Sequence, residues 1–311
     1  MQVLVSIIIV NFNCGKYIIN CLKSIYDHSK GIDFEIILID NGSVDNSLPE
    51  IRKKFPEIRI ITNPHNIGFG AANNIGAKHA AGEYLFLLNP DTLLLNDCLS
   101  FFIRFLSAAR NNVVSCGGRL ETASGAYSVS FGNFPSLFQQ FSDIGFKIFY
   151  KKFYIKHLSI SPPCHFDTPQ EVGYLSGANI FIKKDIFLKM NGFDERFFMY
   201  FEDTDLFFRL RNEGYKAYLL PAVKIVHYGD SALLPNGSFN YAKYAMAEKS
   251  KYLYFAKNIG SASVFLIKIF QVVSLVIHYF GRYRYNLCKM VRITLKPSPA
   301  TIMSSLRDCQ K

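Results

Sequence analysis

The chain has 311 residues, 50% of them hydrophobic and 19% charged, which is enough apolar material for a large buried core and too much for a disordered protein. Lys and Arg number 35 against 24 Asp and Glu, a net charge of +11 that invites an anionic partner: nucleic acid, a membrane surface or a phosphorylated ligand. The seven cysteines are scattered, odd in number and without a C-x-x-C pair, which argues against a disulfide framework and fits a reducing compartment.

No signal peptide is expected, because no basic region precedes the apolar Val3–Val10 and Asn11–Cys14 is a poor cleavage site. Val3–Val10 reads instead as a first buried strand, Asn11–Tyr17 as a loop, and the next segment as a helix with Ile18, Leu22 and Ile25 on one face. Phe34–Ile39 repeats the pattern and ends in Asp40-Asn41-Gly42-Ser43, with a helix start near Asp45–Ser47. Ile58–Ile61 is a third strand, followed by a helix from about Phe69 that stops before Gly82. Gly68 and Gly70 begin a dinucleotide fingerprint that fails at Asn73, and no phosphate-binding G-x-x-x-x-G-K-[ST] occurs. Tyr84–Leu88 is an unbroken apolar run too short for a helix, so it predicts a strand buried on both faces of a mainly parallel sheet. Pro90 ends that strand and leaves Asp91 at its tip, where ligands of such sheets bind. An isolated Asn-Pro-Asp would more simply be a turn or a helix cap. A helix over Asp97–Arg110 and a fifth strand over Val113–Gly117 follow.

The rhythm breaks over 133–168, where Phe146, Phe149, Tyr150, Phe153 and Tyr154 recur at helical spacing among Lys147, Lys151, Lys152 and Lys156. Such a stretch serves either as a helix packed on the domain or as a membrane-surface or acceptor-covering element. Val172–Ile182 restores the core around a break at Ser176-Gly177-Ala178, where a ligand or backbone can come close. After a short helix over Lys184–Met190, Asp203 is placed to cap a helix running to Asn212, with Glu202 and Asp205 beside it. Capping and the helix dipole account for one or two of these acids. Their aromatic surroundings can also raise a carboxylate toward the range of a general base. Ala217–Leu220 and Val223–Val226 predict two short strands, with His227 at the end of the second.

Taken together, SIIIVNFN, ILIDNGSVDNS, NIGFGAANNIG, YLFLLNPDT, LSGANIF, GFDERFFMYFEDTDLFFRL and HYGDS resemble the family 2 glycosyltransferases, most closely their bacterial rhamnosyltransferase-like branch, over roughly residues 3 to 257. The resemblance implies a GT-A, Rossmann-like α/β fold with a mainly parallel sheet flanked by helices. It also implies a role for each matching position. Asp40, Phe12, Asn13, Asn66 and Asn74 would bind the nucleotide, and Asp91 and His227 a divalent metal, Mg²⁺ or Mn²⁺. Gly177, Ala178 and Glu202 would face the donor sugar, and Asp203 would be the catalytic base. One base without a covalent nucleophile implies inversion at the anomeric carbon. The family's usual D-x-D is here Asn89-Pro90-Asp91, with a single carboxylate. The implied donor is dTDP-L-rhamnose, with UDP-galactofuranose or UDP-N-acetylglucosamine as alternatives, and the implied acceptor a lipid-linked saccharide in surface polysaccharide assembly. Retention of Asp40, Asp91, Asp203 and His227 together argues against a silent scaffold.

The catalytic domain is expected over 1–257, with 133–168 as an insertion, and a basic helical appendage over 258–311. Ala262–Phe280 approaches transmembrane length, but a spanning helix would send outward a tail that carries +6 of the +11 from Arg282 onward, against the positive-inside rule. An interfacial helix pair on the cytoplasmic face of the membrane, or a bundle packed on the domain, is expected instead, making the protein a peripheral one. Because most of the charge excess lies in that apolar-flanked tail, a nucleic-acid partner is not expected.

Overall fold

A computed structural model describes residues 4–164, 166–229, 239–279 and 286–297. In chain order the elements are β1 (Val5–Asn11), α1 (Gly15–His28), β2 (Phe34–Asp40), α2 (Ser47–Lys54), β3 (Arg59–Thr62), α3 (Phe69–His79), β4 (Tyr84–Leu88), β5 (Thr92–Leu94), α4 (Cys98–Ala108), β6 (Val113–Glu121) and β7 (Phe131–Gly132). There follow α5 (Leu137–Asp143), a 3-10 turn (Phe146–Tyr150), α6 (Lys151–His157), β8 (Gln170–Val172), β9 (Tyr174–Leu175), β10 (Asn179–Lys183), α7 (Lys184–Lys189), α8 (Glu202–Asn212), β11 (Lys216–His227), α9 (Tyr241–Asn258), α10 (Ser261–Tyr279) and α11 (Leu287–Leu295).

One nine-stranded sheet has the main order β3-β2-β1-β4-β10-β6-β11-β5, with β8 paired to β11. β3, β2, β1 and β4 are mutually parallel, as are β6 and β11, whereas β10 runs antiparallel to its neighbours β4 and β6. The expected mainly parallel sheet is present, and the inserted β10 is what brings a strand start to the same end as the tips of β1, β2 and β4. Every residue of β1 and β4 is buried, as their unbroken apolar runs require. Ile18, Leu22 and Ile25 of α1 and Leu99, Phe102 and Leu106 of α4 join the same core. Phe86, Phe102 and Phe181 pack together within it with ring centroids 5.1 to 6.1 Å apart, Phe102 stacked on Phe181 and Phe86 edge-on to Phe102.

Three segments differ from expectation. Val113–Gly117 continues as strand to Glu121. The Val172–Ile182 run divides among β8, β9 and β10, because it must turn back at Ser176-Gly177-Ala178. The two strands expected over 217–226 are one, β11, whose register against β6 shifts between Leu220 and Lys224, so that Pro221 sits in an irregularity rather than in a regular ladder.

The chain divides into two compact units. The first, Met1–Gly132 with Ser161–Phe198 and Glu202–Gly229, holds the large sheet. The second comprises Asn133–Ile160, Met199–Phe201 and Asp230–Lys311. Residues 133–160 of the insertion thus group with the C-terminal helices, including α9, and 161–168 with the sheet unit. Within this helical unit a buried ion pair joins Lys251 to Glu248 at 2.5 Å, and the Tyr252 hydroxyl shares its one proton between Glu248 (2.6 Å) and the Thr294 carbonyl (2.7 Å). Asp230 and Ser231 of the HYGDS block, and Arg282, Arg284, Arg307 and Lys311 of the basic tail, lie outside the described residues.

Candidate active site

The carboxyl ends of β1, β2 and β4, the start of β10, the end of β11 and the first turn of α8 contribute the chemistry-bearing side chains, all within the sheet unit. β1 and β2 end in register, Asn11 opposite Asp40. The Asn11 amide donates to Asp40 Oδ1 (3.0 Å) and reaches the Ser43 and Ser47 hydroxyls (3.0 and 2.9 Å), while the Ser43 N–H donates to Asp40 Oδ2 (3.1 Å). Asp40 is thereby fixed, buried, with acceptor capacity left on both oxygens. Asn13 sits in the left-handed region (φ 54°) and its Oδ1 accepts from the Val44 N–H at 2.9 Å. Two buried atoms here lack a hydrogen-bond partner among the described residues: Asn11 Oδ1, an acceptor, and Asn13 Nδ2, a donor. Buried polar atoms are rarely left so, and the pair marks where a ligand's own polar edge would fit. Phe12 is half-buried in the same loop.

Asn66 does other work. Its Oδ1 accepts from the Asn41 amide (2.8 Å) and the Gly68 N–H (2.9 Å), shaping the loop that leads into α3. Gly68 is required there: at φ 95°, a Cβ would stand 2.6 Å from the Phe198 carbonyl oxygen, which accepts the Phe69 N–H. Asn74 is not brought to the strand tips as a free ligand. Its Nδ2 donates to the Phe193 carbonyl (2.9 Å) and to Glu195 (3.1 Å), and its Oδ1 accepts the Phe193 N–H (2.9 Å). A buried amide bound on both sides clamps the 193–195 turn to α3.

At the tip of β4, Asp91 Oδ1 lies 3.4 Å from His227 Nε2, and Oδ2 accepts the Gly229 N–H at 3.1 Å. The same imidazole nitrogen is 3.4 Å from the Asn89 amide, so its protonation decides whether it donates to Asp91 or accepts from Asn89. Burial pushes the Asp91 carboxyl upward, but the His227 ring and the Gly229 N–H outweigh it and hold Asp91 below the ordinary carboxylate value. A carboxylate and an imidazole side by side, each partly accessible, fit a divalent cation that keeps its remaining positions for a ligand's oxygens. Among the described residues no group of three or more His, Cys, Asp or Glu gathers to enclose a metal.

A backbone relay joins this pair to the acids of α8. The Asn89 N–H donates to the Ala178 carbonyl (3.0 Å), and the Gly177 N–H donates to Asp203 Oδ2 (2.9 Å). Helix α8 starts at Glu202, so Asp203 is its second residue rather than its cap. Asp203 Oδ1 accepts the Thr204 N–H at 2.6 Å. Burial raises the Asp203 carboxyl above its ordinary value against the pull of these donors. Glu202, buried and with Oε2 lacking a partner among the described residues, is also raised, by burial and then by Asp203 itself. Asp205 faces away, in an ion pair with Arg209 at 2.9 Å; Arg209 also donates to the Met190 and Gly192 carbonyls, tying α8 to the turn after α7.

Sequence reasoning passed over Asn11, Asn89 and the Tyr17–Tyr228 stack, whose centroids are 5.0 Å apart beside Asp91. Asn11 had a signal, since VSIIIVN and FEIILID are parallel strands of equal length ending together. Tyr17 and Tyr228 lie too far apart in the chain to be paired from sequence.

A family model, Glycosyl transferase family 2, matches residues 6–183, more than half of the chain and all of the strand tips from Asn11 to Gly177. The chain belongs to glycosyl transferase family 2. This glycosyltransferase is 28% identical over 263 residues to rhamnosyltransferase WbbL of Escherichia coli K12, a match covering 82% of this chain and 93% of WbbL. It is 26% identical over 210 residues to the N-acetylglucosaminyl-diphospho-decaprenol L-rhamnosyltransferase of Mycobacterium tuberculosis, covering 62% of this chain and 66% of that protein. Among solved structures, that of GalNAc-T7 with UDP, GalNAc and Mn²⁺ superposes with a TM-score of 0.59 at 13% identity, over 98% of this chain and 57% of that one. That likeness shows the GT-A fold.

Proposed function

We propose that this glycosyltransferase moves L-rhamnose from dTDP-L-rhamnose to a lipid-linked saccharide, with inversion, as a peripheral enzyme on the cytoplasmic face of the membrane in surface polysaccharide assembly. The observation that carries the reaction is the relay from Asp91 through Asn89 and Ala178-Gly177 to Asp203, which spans a donor site between a phosphate-facing pair and a base. Likeness to two rhamnosyltransferases, one of them over nearly its whole length, supports the sugar.

Asp40, Asn11 and Asn13 present acceptors and a donor at one edge, the complement of a pyrimidine whose N3–H is flanked by carbonyl oxygens. Asp91 and His227 would hold the divalent cation, which when bound neutralises the charge that builds on the departing diphosphate. The acceptor hydroxyl oxygen forms its bond to the anomeric carbon as the bond to the diphosphate oxygen breaks. Asp203 takes the hydroxyl proton, and its raised affinity for that proton suits it to the task. Burial favours the protonated form of Glu202, which would let it donate a hydrogen bond at the sugar.

The test is turnover with extracted lipid-linked acceptors and dTDP-L-rhamnose, UDP-galactofuranose or UDP-N-acetylglucosamine, with Mg²⁺, Mn²⁺ or chelator. Product from dTDP-L-rhamnose alone is expected, lost with chelator. Preferential turnover of either UDP-sugar would overturn the donor assignment.

A further inference from the structure

The helical unit leaves an unusual amount of apolar side chain in solvent. Phe149 and Ile148 in the 3-10 turn are 78% and 72% exposed, and Phe265 on α10 is 69% exposed. Scattered exposed apolar residues need no explanation, but these are arranged. On α10 the exposed Phe265, Leu266, Ile269, Val273, Val276 and Ile277 fall within roughly 120° of the helix circumference, opposite the buried Ser263, Ile267 and Leu275. On one edge of that stripe Phe270 meets Phe141 (5.8 Å), and Phe141 stacks on Phe146 (4.5 Å), which carries the apolar surface onto the 3-10 turn. On the other edge Lys268 Nζ donates to the Leu295 carbonyl (3.0 Å), which sets α11 alongside with Leu295 exposed. The outward groove of α11 is itself apolar, lined by Leu287, Val291 and Leu295 and rimmed by Arg292 and Lys296.

The charge around this surface is mostly positive: beside it Asp143 is paired with Lys147 at 2.9 Å. Residues 146–157, 261–279 and 286–297 contain no Asp or Glu, while Lys151, Lys152, Lys156, Lys289, Arg292 and Lys296 are all exposed. Among the described residues no helix is long and apolar enough to cross a membrane. Apolar rings flanked by unopposed cations are what an anionic bilayer surface accepts, with rings entering the acyl boundary and lysines staying among headgroups. We infer that α10, α11 and the 146–153 aromatic segment form one docking face for an anionic lipid bilayer. The proposal gives a specific surface to the membrane-bound reading above and rests on it for its purpose, yet it is tested without any sugar.

The experiment is co-sedimentation of the purified full-length chain with vesicles of phosphatidylcholine, with and without about one third phosphatidylglycerol, at low and high salt. Three proteins are compared: wild type, Phe265→Glu/Ile269→Glu and Lys151→Gln/Lys152→Gln/Lys156→Gln. Circular dichroism confirms that each is folded, and gel filtration reports its size. Wild type is expected to bind only the anionic vesicles, less so at high salt. The aromatic variant should lose binding, and the triple Lys variant should bind on the order of a hundredfold more weakly. No binding by wild type, or equal binding by all three proteins, would overturn the inference. So would a wild-type dimer that Phe265→Glu/Ile269→Glu dissolves, since a second copy would then cover the face. Vesicle binding without rhamnosyl transfer would leave this inference standing and sink only the donor assignment.

Discussion

At the scale of single residues, the acids of α8 have separate tasks that their closeness in sequence hides. Asp203 accepts from the Gly177 N–H, Glu202 is buried with its Oε2 unpartnered among the described residues, and Asp205 is paired with Arg209. Asp203→Asn should therefore lower kcat by about a thousandfold, within the range of general-base losses, with donor affinity by calorimetry unchanged. The acid limb of the wild-type pH–rate profile should lie above the ordinary carboxylate range, because Asp203 must be ionised and burial raises it. Glu202 offers a stability test. Its folded-state value is raised, so the fold holds a proton that the unfolded chain releases, and stability falls as pH rises from the ordinary carboxylate range toward the raised one. Glu202→Gln should raise thermal stability at pH 8, by about 1–3 kcal/mol, and leave it unchanged at pH 4. The types of residue at the site were legible because strand tips and acidic clusters announce themselves. Which amides are spent on the protein's own backbone was not, because Asn66 and Asn74 differ from Asn11 only in what the fold places opposite them.

At the scale of elements, apolar runs and breakers placed most strands and helices, since β1 and β4 read directly as buried runs and Gly214 stops α8 at φ 81°. β10 was legible as a strand but not as an antiparallel one, since direction depends on which neighbours pair. That direction is what sets Gly177-Ala178 beside Asn89. The first turn of α8 depends on the Asp205–Arg209 ion pair, whose carboxylate is wholly buried. Asp205→Ala should cost on the order of 3 kcal/mol in denaturant unfolding by leaving Arg209 uncompensated. A loss as small as that of a surface substitution would contradict the structural role. Gly68→Ala should likewise destabilise, because no side chain can move to relieve a Cβ pressed on the Phe198 backbone.

At the scale of the molecule, the sheet unit carries every candidate catalytic and binding residue and the helical unit carries the exposed aromatic and basic surface. The amphipathic character of 146–156 and of Ala262–Phe280 was readable from spacing. That the two stretches share one unit was not, because it depends on the Phe141–Phe270 contact between residues far apart in the chain. In the proposed reaction Asp203 drives a single displacement on dTDP-L-rhamnose. The most direct measurement is the anomeric configuration of the product by NMR, together with turnover by wild type, Asp203→Asn and Glu202→Gln. Inverted product is expected from wild type, about a thousandfold less from Asp203→Asn, and measurable turnover from Glu202→Gln. Retained configuration, or full activity in Asp203→Asn, would contradict it.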